Sequence, residues 1–197
     1  MNSNTDSLLD MVGTLYGDCK HAQDNLNEND TPYNRRAFVR AAFASIEATT
    51  FHLKQQALGK QRDGIFSQAE FALLMEETYT LDKGKAVSQV KFLPLDQNFL
   101  FAIAMFSRAA KSPFMLEKGK EWETFKQAIQ VRNRITHPKR PELLDISDGE
   151  LDDVALAHRW VIMSIVHSIS AGVTAMRAEI EEKLRERGID ISEAAPS

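Results

Sequence analysis

Helix-breaking residues are scarce in this chain, and they fall mostly between segments rather than inside them. Nine glycines and six prolines are spread over 197 residues, and most of them separate stretches whose apolar residues recur at a helical period. The expected fold class is all-α. The economical arrangement is a single helical bundle spanning residues 1–197, with a core at about 33–187, a long C-terminal helix, and disordered ends at 1–6 and 193–197. With 43% hydrophobic residues, a chain of this length can bury a sizeable core.

The helix boundaries are written in local chemistry. Leu8, Leu9, Met11, Val12, Leu15 and Leu26 suggest a first helix, weakened by Gly13 and Gly17. Thr31-Pro32 is a capping residue followed by proline at the first helical position. Phe38, Ala42, Ile46, Thr49, Leu53 and Ala57 then recur at helical spacing up to Gly59. Ser67-Gln68-Ala69-Glu70 has capping-box spacing and predicts a helix of about three turns ending near Gly84. Residues 85–95 fit either a short helix or an extended link. Asp96 is placed to cap a helix carrying Phe99, Ile103 and Phe106, which Ser112-Pro113 stops.

From about Lys120, Trp122, Phe125 and Ile129 share one face of a helix that must end close to Pro138, because proline disfavours α geometry in the residue before it. Ser147-Asp148-Gly149-Glu150 is a second capping box. It opens the longest element, whose apolar period runs from Leu151 to Leu184; its end beyond Arg177 is expected to project or to meet a partner.

Composition narrows the function. A net charge of −4 excludes a uniformly basic nucleic-acid-binding coat, so any anion site is local. The single cysteine, Cys19, forms no internal disulfide and no cysteine-based zinc site. The first six residues lack the pattern of an export signal, and the apolar stretch from Val161 to Met176 is short and interrupted by Ser164, His167, Ser168 and Ser170. A cytoplasmic protein without a membrane segment is expected. HExxH, P-loop, dinucleotide-turn and GxSxG patterns are all absent, so no metal and no cofactor is expected.

Five histidines remain. His158 lies on the apolar face of the last helix, His52 and His167 lie near the faces of theirs, and His21 sits in a polar segment. His137 differs because of its surroundings, Val131-Arg132-Asn133-Arg134-Ile135-Thr136-His137-Pro138-Lys139-Arg140. At 100° per residue Arg132 falls about 20° from Phe125, on the core stripe of its helix, where a guanidinium must be paired or used. Asn133 and His137 share a second face. Arg132 and His137 are about 140° apart on an ideal helix, so convergence requires fraying at Pro138 or a second copy of the helix in a symmetric dimer. From Arg108 to Arg140 nine Lys and Arg stand against three Glu, a local excess of +6 within a chain of net −4.

Arg132 followed after four residues by His137, with the polar Asn133 next to the arginine and Pro138 after the histidine, resembles the signature of the HEPN superfamily. The resemblance is motif-specific over residues 131–138 and extends as a helix pattern over the core. It implies a HEPN-like helical bundle whose homodimer brings two Arg-x4-His motifs into one cleft. Many members are metal-independent endoribonucleases in toxin–antitoxin, abortive-infection and CRISPR-linked defence, so it also implies single-stranded RNA as substrate and an antitoxin or other regulatory protein as partner. The chemistry suits the residues: a histidine moves the proton of a ribose 2′-OH near neutral pH, and an always-charged arginine holds phosphoryl oxygens. Asn133 would orient the phosphate or the imidazole, and Arg134, Lys139 and Arg140 would bind the RNA backbone. Family members often carry an acidic residue on an earlier helix that fixes the motif; Glu47, beside the apolar stripe of the second helix, is the candidate. One branch of the family continues the motif as His-x-Tyr, where a partner modifies the tyrosine; position 139 here is Lys139.

The rival reading is a non-catalytic helical interaction module, or a nucleotide-binding module using the same basic cleft. Arg132 buried in a salt bridge with no cleft beside His137 would favour it.

Overall fold

The computed structural model describes residues 3–59 and 64–187. Its elements in order are α1 (Ser3–Glu28), α2 (Pro32–Gly59), α3 (Gln68–Leu74), β1 (Glu77–Asp82), β2 (Lys85–Val90), α4 (Leu95–Ala109), α5 (Lys120–Thr136) and α6 (Asp148–Glu186), with a 3₁₀ turn at Pro141–Leu144 between the last two. The fold is all-α but for one hairpin. Helix α1 starts at Ser3, inside the stretch 1–6 assigned to disorder from the sequence; residues 1, 2 and 193–197 lie outside the described residues.

Helix α2 is the hub. It packs against every other helix, and it buries most of its circumference, from Phe38, Val39 and Ala42 to Ser45, Thr49, His52 and Lys54. Arg40 and Glu47, seven residues apart on one stripe, stay exposed. Its first turn is tied to the last helix by Arg35, which pairs with Asp30, donates to the Ile146 carbonyl at 2.7 Å and meets Asp148 at 2.7 Å. At the other end of the core, Phe99, Trp122, Phe125 and Trp160 pack with ring centroids 5.6–6.2 Å apart and lock α4, α5 and α6 together.

Both capping boxes form: Ser67 and Ser147 accept from the amides of Glu70 and Glu150, whose carboxylates return to the serine amides. The helix from Ser67 nevertheless ends at Leu74 rather than near Gly84, and an antiparallel hairpin follows. The cause is the turn. Lys83 (φ 48°) and Gly84 (φ 78°) both take left-handed backbone, the requirement of a two-residue hairpin loop, and the preceding Thr78, Tyr79 and Thr80 favour strand geometry. The next helix is capped by Pro94 with no side-chain hydrogen bond; Asp96 lies in its first turn instead of at its cap.

Helix α6 is 39 residues long. By length and composition it is the one helix among the described residues that could cross a membrane, yet Val154, Ala157, Val161, Ser164, Ile165, Ser168 and Gly172 are buried within the protein. Beyond Gly172 it buries no further residue among those described, and Lys111 reaches Glu179 at 3.1 Å to hold that part against the end of α4.

Candidate functional site

Four walls enclose a cleft of about 860 Å³. Residues at helical spacing line three of them: Met11 and Leu15 from α1; Ala44, Glu47, Ala48 and Phe51 from α2; Lys126, Ile129, Gln130 and Asn133 from α5. Arg132 reaches in beside Asn133. The fourth wall is Glu76 with the segment from Phe92 to Asn98.

The structure brings together Arg132, Glu47 and Asn133. The buried stripe of α5 continues through Val131 and Ile135, so Arg132 flanks the core rather than interrupting it, with 29% of its side chain exposed. Its Nη2 pairs with Glu47 Oε1, its Nη1 donates to Asn133 Oδ1 at 3.0 Å, and its guanidinium lies 6.0 Å from the Phe43 ring centroid. Two of its five N–H donors are thereby used, and the group is oriented.

His137 is not among the residues that line the cleft. It caps α5 with φ −125° and ψ 57°, its backbone amide donates to Asn133 at 3.1 Å, and its exposed ring has no hydrogen-bond partner among the described residues. Lys139 and Arg140 follow it, also exposed.

Arg134 faces elsewhere. It donates to the carbonyls of Leu143 at 3.3 Å and Asp145 at 2.7 Å and pairs with Glu150 at 2.6 Å. Its guanidinium thus fastens the end of α5 to the loop that leads into α6, a structural task. The positive excess between Arg108 and Arg140 is likewise largely engaged: Arg108 pairs with Glu70, Lys111 with Glu179, Lys126 with Glu123, and Lys118 lies over the Trp122 ring. Positive charge is therefore spread along the segment and does not converge on the cleft.

The remaining histidines fill ordinary places. His158 Nε2 lies 3.2 Å from Ser45 Oγ and its ring stacks on Tyr16, and burial lowers its pKa. His52 is buried, also with a lowered pKa for the same reason, while His167 is exposed.

Sequence reasoning missed one cluster. Lys54 is fully buried, and its Nζ donates to Glu76 Oε1 at 3.0 Å and Asn98 Oδ1 at 3.1 Å. Burial lowers the lysine pKa, against the opposing pull of Glu76. Glu76 and Asn98 both line the cleft. The one signal available was a lysine on the apolar face one residue after Leu53; its partners are 22 and 44 residues away.

No family model, curated protein or solved structure matches the chain.

Proposed function

We propose that the protein is a cytoplasmic, metal-independent endoribonuclease of HEPN type that cleaves single-stranded RNA as a homodimer, in a toxin or phage-defence setting with a regulatory protein as partner. The observation that carries the reading is Arg132, held at the cleft wall by Glu47 and Asn133 with its side chain partly exposed, on the same helix that His137 caps, whose exposed ring has no hydrogen-bond partner among the described residues. The arginine places N–H donors where charge builds on a phosphoryl group. His137 supplies an imidazole for proton transfer.

In the reaction the ribose 2′ oxygen attacks phosphorus as its proton passes to an imidazole. The bond from phosphorus to the 5′ oxygen breaks, and that oxygen takes a proton from an imidazolium. The products are a 2′,3′-cyclic phosphate and a 5′-OH. Because His137 stands outside the cleft of its own chain, Arg132 of one copy works with His137 of the other.

That same separation is what favours the second reading, a nucleotide-binding or interaction module in which Arg132 grips phosphate without turnover. Labelled RNA incubated with the protein in EDTA separates the two. Cleavage lost in Arg132→Ala and His137→Ala supports the nuclease; binding without cleavage supports the module.

A further inference from the structure

Lysine is rarely buried unless paired, and Lys54, with no side-chain exposure, has a task beyond packing. Its ammonium takes Asn98 Oδ1 as one acceptor. That fixes the amide orientation: Nδ2 donates one N–H to Glu76 Oε1 at 3.5 Å, and its second N–H has no acceptor among the described residues. The ammonium also takes Glu76 Oε1, and Oε2 has no hydrogen bond among the described residues. A charged acceptor and a neutral donor are thus held side by side at the cleft wall.

Two further observations mark this wall. Glu76 sits in left-handed backbone (φ 57°), where a non-glycine residue is strained, while its carbonyl accepts from Lys91 at 2.7 Å at the base of the hairpin. Phe92 is 83% exposed yet lines the cleft, together with Phe51 and Leu93. An exposed ring beside a fixed donor and acceptor is the arrangement by which proteins hold an unstacked nucleobase, ring face on aromatic and edge on polar groups.

We propose that the cleft is a guanine-selective subsite of the ribonuclease, with the base on Phe92, its N1–H and N2–H directed to the Glu76 carboxylate, its O6 accepting from Asn98 Nδ2, and its 3′-phosphate on Arg132. Guanine is the base whose pairing edge sets two neighbouring N–H donors beside a carbonyl acceptor, which matches a carboxylate next to an amide donor. Lys54 is the positioning residue that fixes both. The inference rests on the ribonuclease reading for its consequence, cleavage on the 3′ side of guanosine.

Binding tests it independently of turnover. The intact protein is titrated calorimetrically with the 3′-monophosphates of guanosine, adenosine, cytidine and uridine, and with inorganic phosphate. Guanosine 3′-monophosphate binds at least about tenfold tighter than the other three, the value of one good hydrogen bond to a charged group. Glu76→Gln removes that preference without weakening inorganic phosphate. Asn98→Asp, which keeps an acceptor for Lys54 and deletes the donor to O6, removes it too and guards against a folding defect in the first variant. Equal affinity for the four nucleotides, or a guanosine preference that survives Asn98→Asp, overturns the subsite. A guanosine preference in a protein that cuts no RNA keeps the subsite and defeats the nuclease reading; cleavage without base preference does the reverse.

Discussion

Glu47 on α2 and Arg132 on α5 are joined by an ion pair that spans two walls of the cleft. Both side chains are partly exposed, so the pair contributes little to stability, about 0–1 kcal/mol. Its effect is on orientation. Glu47→Gln is expected to leave the melting temperature within a degree or two and to slow RNA cleavage by about ten- to a hundredfold, the range that misplacement of a catalytic group produces. Arg132→Lys is not expected to restore rate to Arg132→Ala, since an ammonium cannot hold Glu47, Asn133 and two phosphoryl oxygens together. Steady-state cleavage rates beside thermal melts check both.

Arg134 should behave as a structural residue. Its three contacts fasten the last turn of α5 to residues 143–145 and to Glu150, which also closes the capping box of α6. Arg134→Ala is expected to destabilise the protein by about 1–3 kcal/mol through the carbonyls and carboxylate left without their donor. Denaturant unfolding measures it. A change confined to activity, with unchanged stability, would return Arg134 to the site.

Subunit mixing tests the composite site. Arg132→Ala and His137→Ala are each expected to be inactive as homodimers, whereas a mixed dimer would contain one intact pair, Arg132 of one subunit and His137 of the other. Co-refolding equal amounts of the two variants is expected to recover about a quarter of the wild-type rate per dimer pool, since half the dimers are mixed and each has one working pair. No recovery would place both residues of a working pair in one chain.

Acid should destabilise the fold through its buried histidines. Burial lowers the pKa of both His52 and His158, so the unfolded chain takes up these protons at higher pH than the folded one. Stability is therefore fully present above histidine's ordinary value of about 6.5 and is lost as pH falls through it toward the lowered folded-state values. His158→Gln retains an amide to meet Ser45 and removes one titrating group. The drop in melting temperature between pH 7.5 and pH 5 is expected to be smaller in that variant than in the wild type.

Gly172 is a position where α6 lies close against α4 and the residue that follows it. A Cβ there would stand 3.0 Å from a Phe106 ring carbon and 3.1 Å from Ala110 Cβ. Gly172→Leu is expected to cost about 1–3 kcal/mol by overpacking. Gly172→Ala should cost less, because the gain of roughly 1 kcal/mol in helix propensity offsets part of the clash. Melting of the two variants gives the comparison.

What could be read from the sequence was what local chemistry specifies. Thr31-Pro32, the two capping boxes, and Pro138 as the stop of α5 act within a few residues of the chain, and each boundary lies where they place it. Glu47 was legible as a polar residue bordering an apolar stripe. The hairpin was not, because residues 85–95 read as either a short helix or an extended link, and the deciding feature is the left-handed backbone of Lys83 and Gly84. The Lys54 cluster was hidden for a different reason: it joins α2, α4 and the turn between α3 and β1, which only tertiary packing brings within 3.1 Å. The role of Arg134 was hidden likewise, since the carbonyls it binds become available only once the loop before α6 has folded back.

The proposed mechanism assigns metal-independent cleavage at a ribose 2′-OH to Arg132 and His137. The most direct measurement is end-group analysis of a labelled single-stranded RNA after incubation with the wild-type protein, Arg132→Ala and His137→Ala in the presence of EDTA. Fragments ending in 2′,3′-cyclic phosphate are expected from the wild type, and intact RNA from both variants. Cyclic-phosphate fragments persisting in either variant, or intact RNA with the wild-type homodimer, would contradict the mechanism.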